Sequence, residues 1–92
     1  MKKFRAGIVG CGNIYPMHAN ALKKIPSIEL VAVCDSHQER LERASTAYCC
    51  RGYTDYLAML DRETLDVVHI CLPHHLHEWA TVEAATRNIH VL

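Results

Sequence analysis

The sequence predicts an α/β domain built on a doubly wound parallel sheet of about five strands in the order 3-2-1-4-5. Strand-like apolar segments alternate with helical segments along the chain, and the connections between them are short. The first strand also runs into a glycine-containing turn, Gly10-Cys11-Gly12, that precedes a helix. Parallel strands require crossover connections of one hand, so helices are expected on both faces of the sheet.

The expected elements follow one another without linkers or repeats. In chain order they are strand 3–9, helix 14–24, strand 28–34, helix 37–48, a short strand at 52–54, a brief helix 55–60, strand 65–72, a helix from 75 or 77 to 87, and a strand from 89 onward. Strand 28–34 is almost continuously apolar, which is typical of a strand buried on both faces.

Several residues predict where helices begin and end and which faces they bury. Ser36 and Glu39 match a capping box for the second helix, and Thr54 is a candidate cap for the brief third helix. Asn88 stands where a left-handed residue is expected to end the fourth helix. Trp79 and Val82 have the spacing of core residues on that helix.

Composition excludes several classes of partner. Ten basic and ten acidic side chains cancel, and no run of like charge suggests nucleic acid or an anionic membrane surface. No segment approaches the ~20 apolar residues that span a bilayer, and the amino-terminal segment lacks a signal peptide's long apolar region. Five cysteines without a CxxC pair indicate buried thiols in a reducing compartment. We therefore expect a cytoplasmic protein.

The glycine turn predicts a dinucleotide site of the Rossmann type. Gly10 allows the tight turn, Gly12 lets the backbone approach a pyrophosphate, and the helix that opens at Asn13 and Ile14 supplies free N–H groups. Tyr15 stands where this fingerprint normally has Gly or Ala. A bulky side chain there must loosen the packing of helix against strand or point outward, so we expect weakened cofactor binding.

Asp35 is the candidate ligand of the adenosine ribose. It follows the second strand, 23 residues beyond Gly12, near the ~20-residue offset of the acidic residue in dinucleotide sites. Its carboxylate could accept both ribose hydroxyls and would repel a 2′-phosphate. Ser36 and His37 follow it directly instead of an arginine, so NAD is favoured over NADP. The alternative role for Asp35 is a helix-capping or loop carboxylate.

The segment from Leu72 to His77 is the third candidate region. It follows the strand after the crossover, so Leu72, Pro73, His74 and His77 should share the carboxyl edge of the sheet with the glycine turn. His74, His75 and His77 also raise the alternative of a metal site. That trio lacks both a clear fourth ligand and the i, i+4 pair of a helical zinc site, so we assign no metal ligand.

Together these segments resemble the amino-terminal NAD(P)-binding domain of the glucose–fructose oxidoreductase/inositol dehydrogenase (Gfo/Idh/MocA) family. The similar stretches are 7–14 with His18 and Ala19, 31–35, 53–56, and 66–73 with His77. The resemblance covers essentially the whole chain. It implies an NAD(P)-dependent oxidoreductase acting on a sugar, cyclitol or related polyol.

The resemblance also implies roles for individual residues. Cofactor contacts are expected from six positions: Gly10, Gly12, Asp35, Leu72, Pro73 and His77. His74 departs from the family pattern, in which the position after this proline, on the nicotinamide side, often carries Asn.

The family's catalytic lysine lies in a Glu-Lys-Pro motif that would follow Leu92, and its substrate domain comes later still. We therefore assign no catalytic residue and interpret residues 1–92 as one incomplete cofactor-binding domain that binds dinucleotide weakly and does not turn over alone. The alternative is a non-catalytic module that senses dinucleotide. Unpaired strand edges and bare apolar surface predict self-association.

Overall fold

The computed structural model describes residues 3–10, 12 and 15–92, with only the backbone at Tyr15. The elements in chain order are β1 (Phe4–Val9), α1 (Tyr15–Lys23), β2 (Ile28–Cys34), α2 (Gln38–Tyr48), β3 (Arg51–Tyr53), α3 (Tyr56–Arg62), β4 (Val67–Ile70), α4 (His74–Ala85) and β5 (His90–Val91). The strands form one five-stranded sheet in the order β3-β2-β1-β4-β5, with parallel pairing throughout. The predicted fold class and strand order are confirmed.

Apolar side chains pack on both faces of this sheet. Ile8 of β1 belongs to a cluster with residues of α1 and α2, including Ala19 and Leu41. The next residue, Val9, belongs to the opposite cluster with residues of α3 and α4, including Met59. This alternation follows from the two-residue period of a strand. Both faces are therefore filled, and the carboxyl edge of the sheet remains as the place where a ligand can enter.

Two predicted helix caps are wrong. Helix α2 begins at Gln38 with His37 as its N-cap, so Ser36 is not the cap. Helix α3 is capped by Asp55 rather than Thr54, because the Asp55 carboxylate accepts a hydrogen bond of 3.0 Å from the backbone N–H of Leu57. At α3 the aspartate takes the place expected for the neighbouring threonine hydroxyl. At α2 the Asp35 carboxylate binds the N–H of His37, the N-cap residue itself, and the His37 side chain makes no capping hydrogen bond.

Helix α4 buries a different face from the predicted one. Ala80 and Ala84 are completely buried, whereas Trp79 and Val82 are 44% and 52% exposed. The small alanine side chains let the helix lie close to the sheet, and the larger side chains flank this contact. Asn88 has a φ of 58°, which confirms the predicted left-handed residue after the helix.

No helix within residues 3–10, 12 and 15–92 is both long enough and apolar enough to cross a membrane.

Candidate functional site

A cleft of about 770 Å³ opens at the carboxyl edge of the sheet. The strands β1, β2 and β4 end there, and the loops that follow them form its walls. Six predicted cofactor ligands line it: Gly10, Gly12, Asp35, Ser36, Leu72 and Pro73. A volume of this size lies in the range that small-molecule sites occupy. Residues from three distant parts of the sequence therefore meet at one surface, as the parallel sheet requires.

The two described glycines of the turn have different structural reasons to be glycine. Gly10 has a φ of +94°, and a Cβ placed there would lie 2.6 Å from the carbonyl oxygen of Cys71. Only glycine lets the turn pass so close to the end of β4. A Cβ at Gly12 would meet nothing within 4 Å, so the backbone there is open to the cleft. This open approach fits a pyrophosphate.

Two further predicted ligands of the turn, Asn13 and Ile14, lie outside the described residues, as does Cys11 between the two glycines. Helix α1 begins at Tyr15, three residues after Gly12 in the sequence. The Tyr15 side chain is also outside the described part of the chain.

Asp35 lies at the end of β2 and is buried, with 6% of its surface exposed. The backbone N–H of Asp35 donates to the carbonyl oxygen of Tyr53, which fixes the residue between two strands. Its carboxylate accepts a hydrogen bond of 2.7 Å from the backbone N–H of His37. That bond spans the short connection between β2 and α2, which begins at Gln38. Ser36 is exposed and lines the cleft.

Arg40 is a cleft residue that the sequence prediction missed. It stands in the first turn of α2, with its Nε 3.4 Å from Oδ2 of Asp35 and its Nη2 3.5 Å from Oδ1. The Arg40 side chain is 44% exposed, and both distances are long for an ion pair. The sequence did contain a signal for this contact. Arg40 is in the first turn of the helix that follows Asp35, and that turn brings its side chain back toward the end of β2.

The opposite wall of the cleft is apolar. Leu72 and Pro73 leave β4 and open α4, and Leu76 and Trp79 continue this surface along the first turns of the helix. The Trp79 ring contacts the ring of Tyr56, with centroids 5.4 Å apart. The cleft is therefore polar where Asp35 and the glycine turn line it, and apolar where Leu72, Pro73, Leu76 and Trp79 line it.

His74 and His77 are exposed on the first turn of α4. Among the described residues, Leu76 and Trp79 form the cleft wall at this point. Both follow Pro73 at helical spacing, three and six residues later, so the sequence could have indicated that they share its face. The contacts predicted for the two histidines stay predictions.

The segment after β3 contributes Thr54, Asp55 and Tyr56 to the cleft. Their position at the carboxyl end of a strand was the signal that sequence reasoning did not use. Tyr56 is buried and donates to the carbonyl oxygen of Ala80 at 2.7 Å. Burial raises the pKa of Tyr56 to about 12. The phenol is therefore neutral at physiological pH and holds α3 against α4.

Cys71 is the remaining titratable group at the strand ends, and burial raises the pKa of its thiol to about 11. The thiol is therefore protonated at neutral pH. Tyr56 and Cys71 are therefore both protonated, and the Asp55 carboxylate caps α3. None of these three side chains presents a ready general base to the cleft.

Comparison with known proteins gives a consistent result. Residues 4–92 match the family model GFO_IDH_MocA, described as an oxidoreductase family with an NAD-binding Rossmann fold. The chain is 41% identical over 71 residues to D-apiose dehydrogenase of Paraburkholderia graminis, covering 76% of this chain and 19% of that protein. It is 34% identical over 93 aligned positions to inositol 2-dehydrogenase 4 of Saccharopolyspora erythraea, covering 99% of this chain and 28% of that protein.

The structural comparison agrees. The WlbA dehydrogenase from Bordetella pertussis, solved in complex with NADH and UDP-GlcNAcA, superposes with a TM-score of 0.94 at 34% identity, covering 98% of this chain and 28% of that one. The chain thus spans less than a third of the length of each of these relatives.

Proposed function

The chain belongs to the Gfo/Idh/MocA oxidoreductase family and forms its NAD-binding Rossmann domain, and from this premise we propose that its cleft holds NAD for hydride transfer to or from a sugar, cyclitol or related polyol. The observation that carries this proposal is that Gly12, with its open backbone, and the buried carboxylate of Asp35 line one cleft. These are the two groups that dinucleotide recognition requires at the end of a parallel sheet.

The cleft provides a place for each part of the cofactor. The Asp35 carboxylate would accept the adenosine ribose hydroxyls, and the backbone at Gly10 and Gly12 with the start of α1 would hold the pyrophosphate. Leu72 and Pro73 would contact the nicotinamide side, where an apolar surface excludes water. Bound NAD supplies the hydride acceptor or donor, and the protein supplies position and electrostatics.

The substrate class rests on the relatives. One acts on D-apiose and another on inositol, as their names state, which supports a polyhydroxylated substrate for the whole protein of which this domain is part. For the 92 residues alone we propose weak dinucleotide binding without turnover. The protonated Tyr56 and Cys71 and the capping role of Asp55 support this, since hydride transfer to or from a hydroxyl carbon needs a proton acceptor beside it.

Calorimetry with NAD, NADH and NADP tests the binding mode. We expect NAD to bind more tightly than NADP, because the Asp35 carboxylate would repel a 2′-phosphate. Asp35→Asn should weaken NAD binding roughly tenfold to hundredfold, the loss of one or two hydrogen bonds to a charged acceptor. The matched control is Asp61→Asn, because Asp61 lies on α3, is exposed and pairs with Arg87. Equal affinity in wild type and Asp35→Asn would contradict the proposal.

A second variant separates the pyrophosphate from the ribose. Gly12→Val should weaken NAD binding at least about tenfold and leave the melting temperature unchanged, since the added side chain would meet open space in the free protein. Full NAD affinity in Gly12→Val would show that the dinucleotide does not approach this turn. Measurable polyol oxidation by the 92 residues would overturn the claim of inactivity.

Self-association remains part of this proposal. Phe4, Trp79, Val82 and Leu92 are large apolar side chains with 44–57% of their surface exposed. Sedimentation velocity over a range of concentrations tests it, with a monomer throughout as the contradicting result.

A further inference from the structure

Three side chains that can ligate a metal converge on the sheet face covered by α1. His18 lies on α1, His69 lies in β4, and Cys71 follows β4 directly. His69 and Cys71 share a face of the sheet because strand residues two apart point to the same side. One ligand atom from each of the three residues lies within 4.8 Å of the other two.

This group was not the one suggested by the sequence, which drew attention to His74, His75 and His77. Across residues 3–10, 12 and 15–92, His18, His69 and Cys71 are the residues whose ligand atoms come together.

The two imidazole rings are in contact, with centroids 4.0 Å apart and planes tilted by 40°. The Nδ1 atom of His69 is buried and has no hydrogen-bond partner among the described residues. A buried polar atom left unpaired costs about 1–3 kcal/mol. A bound ion is one physical reason for such an atom to persist.

Cys71 is held firmly at this position. Its backbone N–H donates to the carbonyl oxygen of Val9 at 2.8 Å, and its carbonyl group packs against Gly10. The thiol therefore lies on a fixed backbone beside two imidazoles.

We propose that His18, His69 and Cys71 form a binding site for a zinc-like divalent transition-metal ion, with water completing the coordination. Two imidazole nitrogens and a thiolate are ligands that Zn²⁺ favours, whereas Mg²⁺ and Ca²⁺ require oxygen ligands. Bonds of about 2.0–2.3 Å place tetrahedral ligand atoms roughly 3.5 Å apart, so side-chain movements of about 1 Å close the site. All three residues are half-buried, which leaves a path for the ion and for water.

Cobalt serves as the spectroscopic probe for this site. Titration of the reduced 92-residue chain with Co²⁺ should produce a thiolate-to-cobalt charge-transfer band that saturates at one equivalent and disappears when Zn²⁺ is added. Cys71→Ser should abolish the band, and His69→Gln should weaken Co²⁺ binding at least about tenfold. Mg²⁺ should produce no displacement. Absence of the band in wild type, or its survival in Cys71→Ser, would overturn the proposal.

Matched controls separate this site from the other thiols and histidines. Cys49→Ser and His75→Gln alter exposed residues outside the cluster, and both should keep the band unchanged. Circular dichroism checks that each variant is folded. If His69→Gln unfolds, alkylation of Cys71 in the wild-type protein tests whether the metal site exists. Zn²⁺ should protect Cys71 from iodoacetamide, as mapped by mass spectrometry, and equal labelling with and without Zn²⁺ would overturn the site.

Discussion

The two acidic residues that the structure places among its buried polar side chains, Asp35 and Glu63, lie at opposite edges of the sheet. Glu63 follows α3 at the edge where the strands begin. Its carboxylate accepts hydrogen bonds from Arg51 and Tyr53 of β3 and from Arg5 of β1. The bonds from Arg51 Nη2 and Tyr53 Oη are both 2.6 Å long, and the bond from Arg5 Nη2 is 3.3 Å long. Asp35 follows β2 at the other edge and meets Arg40 at 3.4–3.5 Å.

The contrast separates a structural carboxylate from one suited to binding. Glu63 joins β1 and β3 to the end of α3 through donors that approach it from several elements. Asp35 lies beside a cleft, and its ion pair with Arg40 is long, at 3.4 Å, although the Arg40 side chain is less exposed than that of Arg51. Two carboxylates of similar burial can therefore have different roles, one structural and one in binding. The number and distance of their hydrogen-bond partners distinguish the two roles.

The largest effect is expected from Glu63→Ala. Removing the carboxylate leaves Arg5, Arg51 and Tyr53 without their common acceptor. Because the two arginine side chains are partly exposed and can be solvated, the expected loss is that of several hydrogen bonds to a charged group, about 2 kcal/mol. Urea unfolding followed by circular dichroism measures the change. Glu78→Ala on the exposed side of α4 is the control and should stay within about 0.5 kcal/mol of wild type. A Glu63→Ala variant as stable as this control would contradict a structural role for the Glu63 carboxylate.

Acid should weaken the same network. The hydrogen bond from Arg51 is the main cause that lowers the pKa of Glu63 below its ordinary value of 4.5. A carboxyl group with a depressed folded-state pKa stabilises the protein above the unfolded value, and this contribution is lost as pH falls through the folded value. The stability difference between wild type and Glu63→Gln should therefore be full near neutral pH and shrink below 4.5. A difference that stays constant between about pH 6 and pH 3 would contradict this.

Asp35→Asn should cost less stability than the Glu63 change despite similar burial. The amide oxygen can still accept the His37 N–H, and the exposed Arg40 can be solvated, so we expect about 1 kcal/mol or less. The measurement is the same urea unfolding without cofactor. A loss as large as that of Glu63→Ala would show that Asp35 is chiefly structural.

The arginine partners provide the smallest expected effects. Arg51→Ala should destabilise the protein less than Glu63→Ala but more than Arg40→Ala, because it removes two short hydrogen bonds to a buried carboxylate from a side chain that is itself 63% exposed. Arg40→Ala should change stability by less than about 0.5 kcal/mol, as for an exposed pair. Thermal unfolding of both variants in one buffer compares them. Equal losses would mean that the two ion pairs are equivalent.

Sequence reasoning succeeded where the determining signals were local. The alternation of apolar segments gave the strands of the sheet, and a carboxylate shortly after a buried strand gave Asp35. It failed at the first turn of α2, because the choice between Ser36 and His37 as cap depends on where the Asp35 carboxylate is held by β2. It also failed on α4, where the contact with the sheet selected Ala80 over Trp79.

The sequence by itself determined the α/β class, the strand order, the glycine turn and the position of Asp35 at the end of β2. Tertiary structure decided which distant side chains meet: Arg51 with Glu63, His18 with His69 and Cys71, and the wall of the cleft that Tyr56 and Trp79 complete. The physical reason is that periodicity and turn chemistry act over a few residues. Contacts between helices and strands far apart in the chain depend on register and packing, which exist only once the sheet has formed.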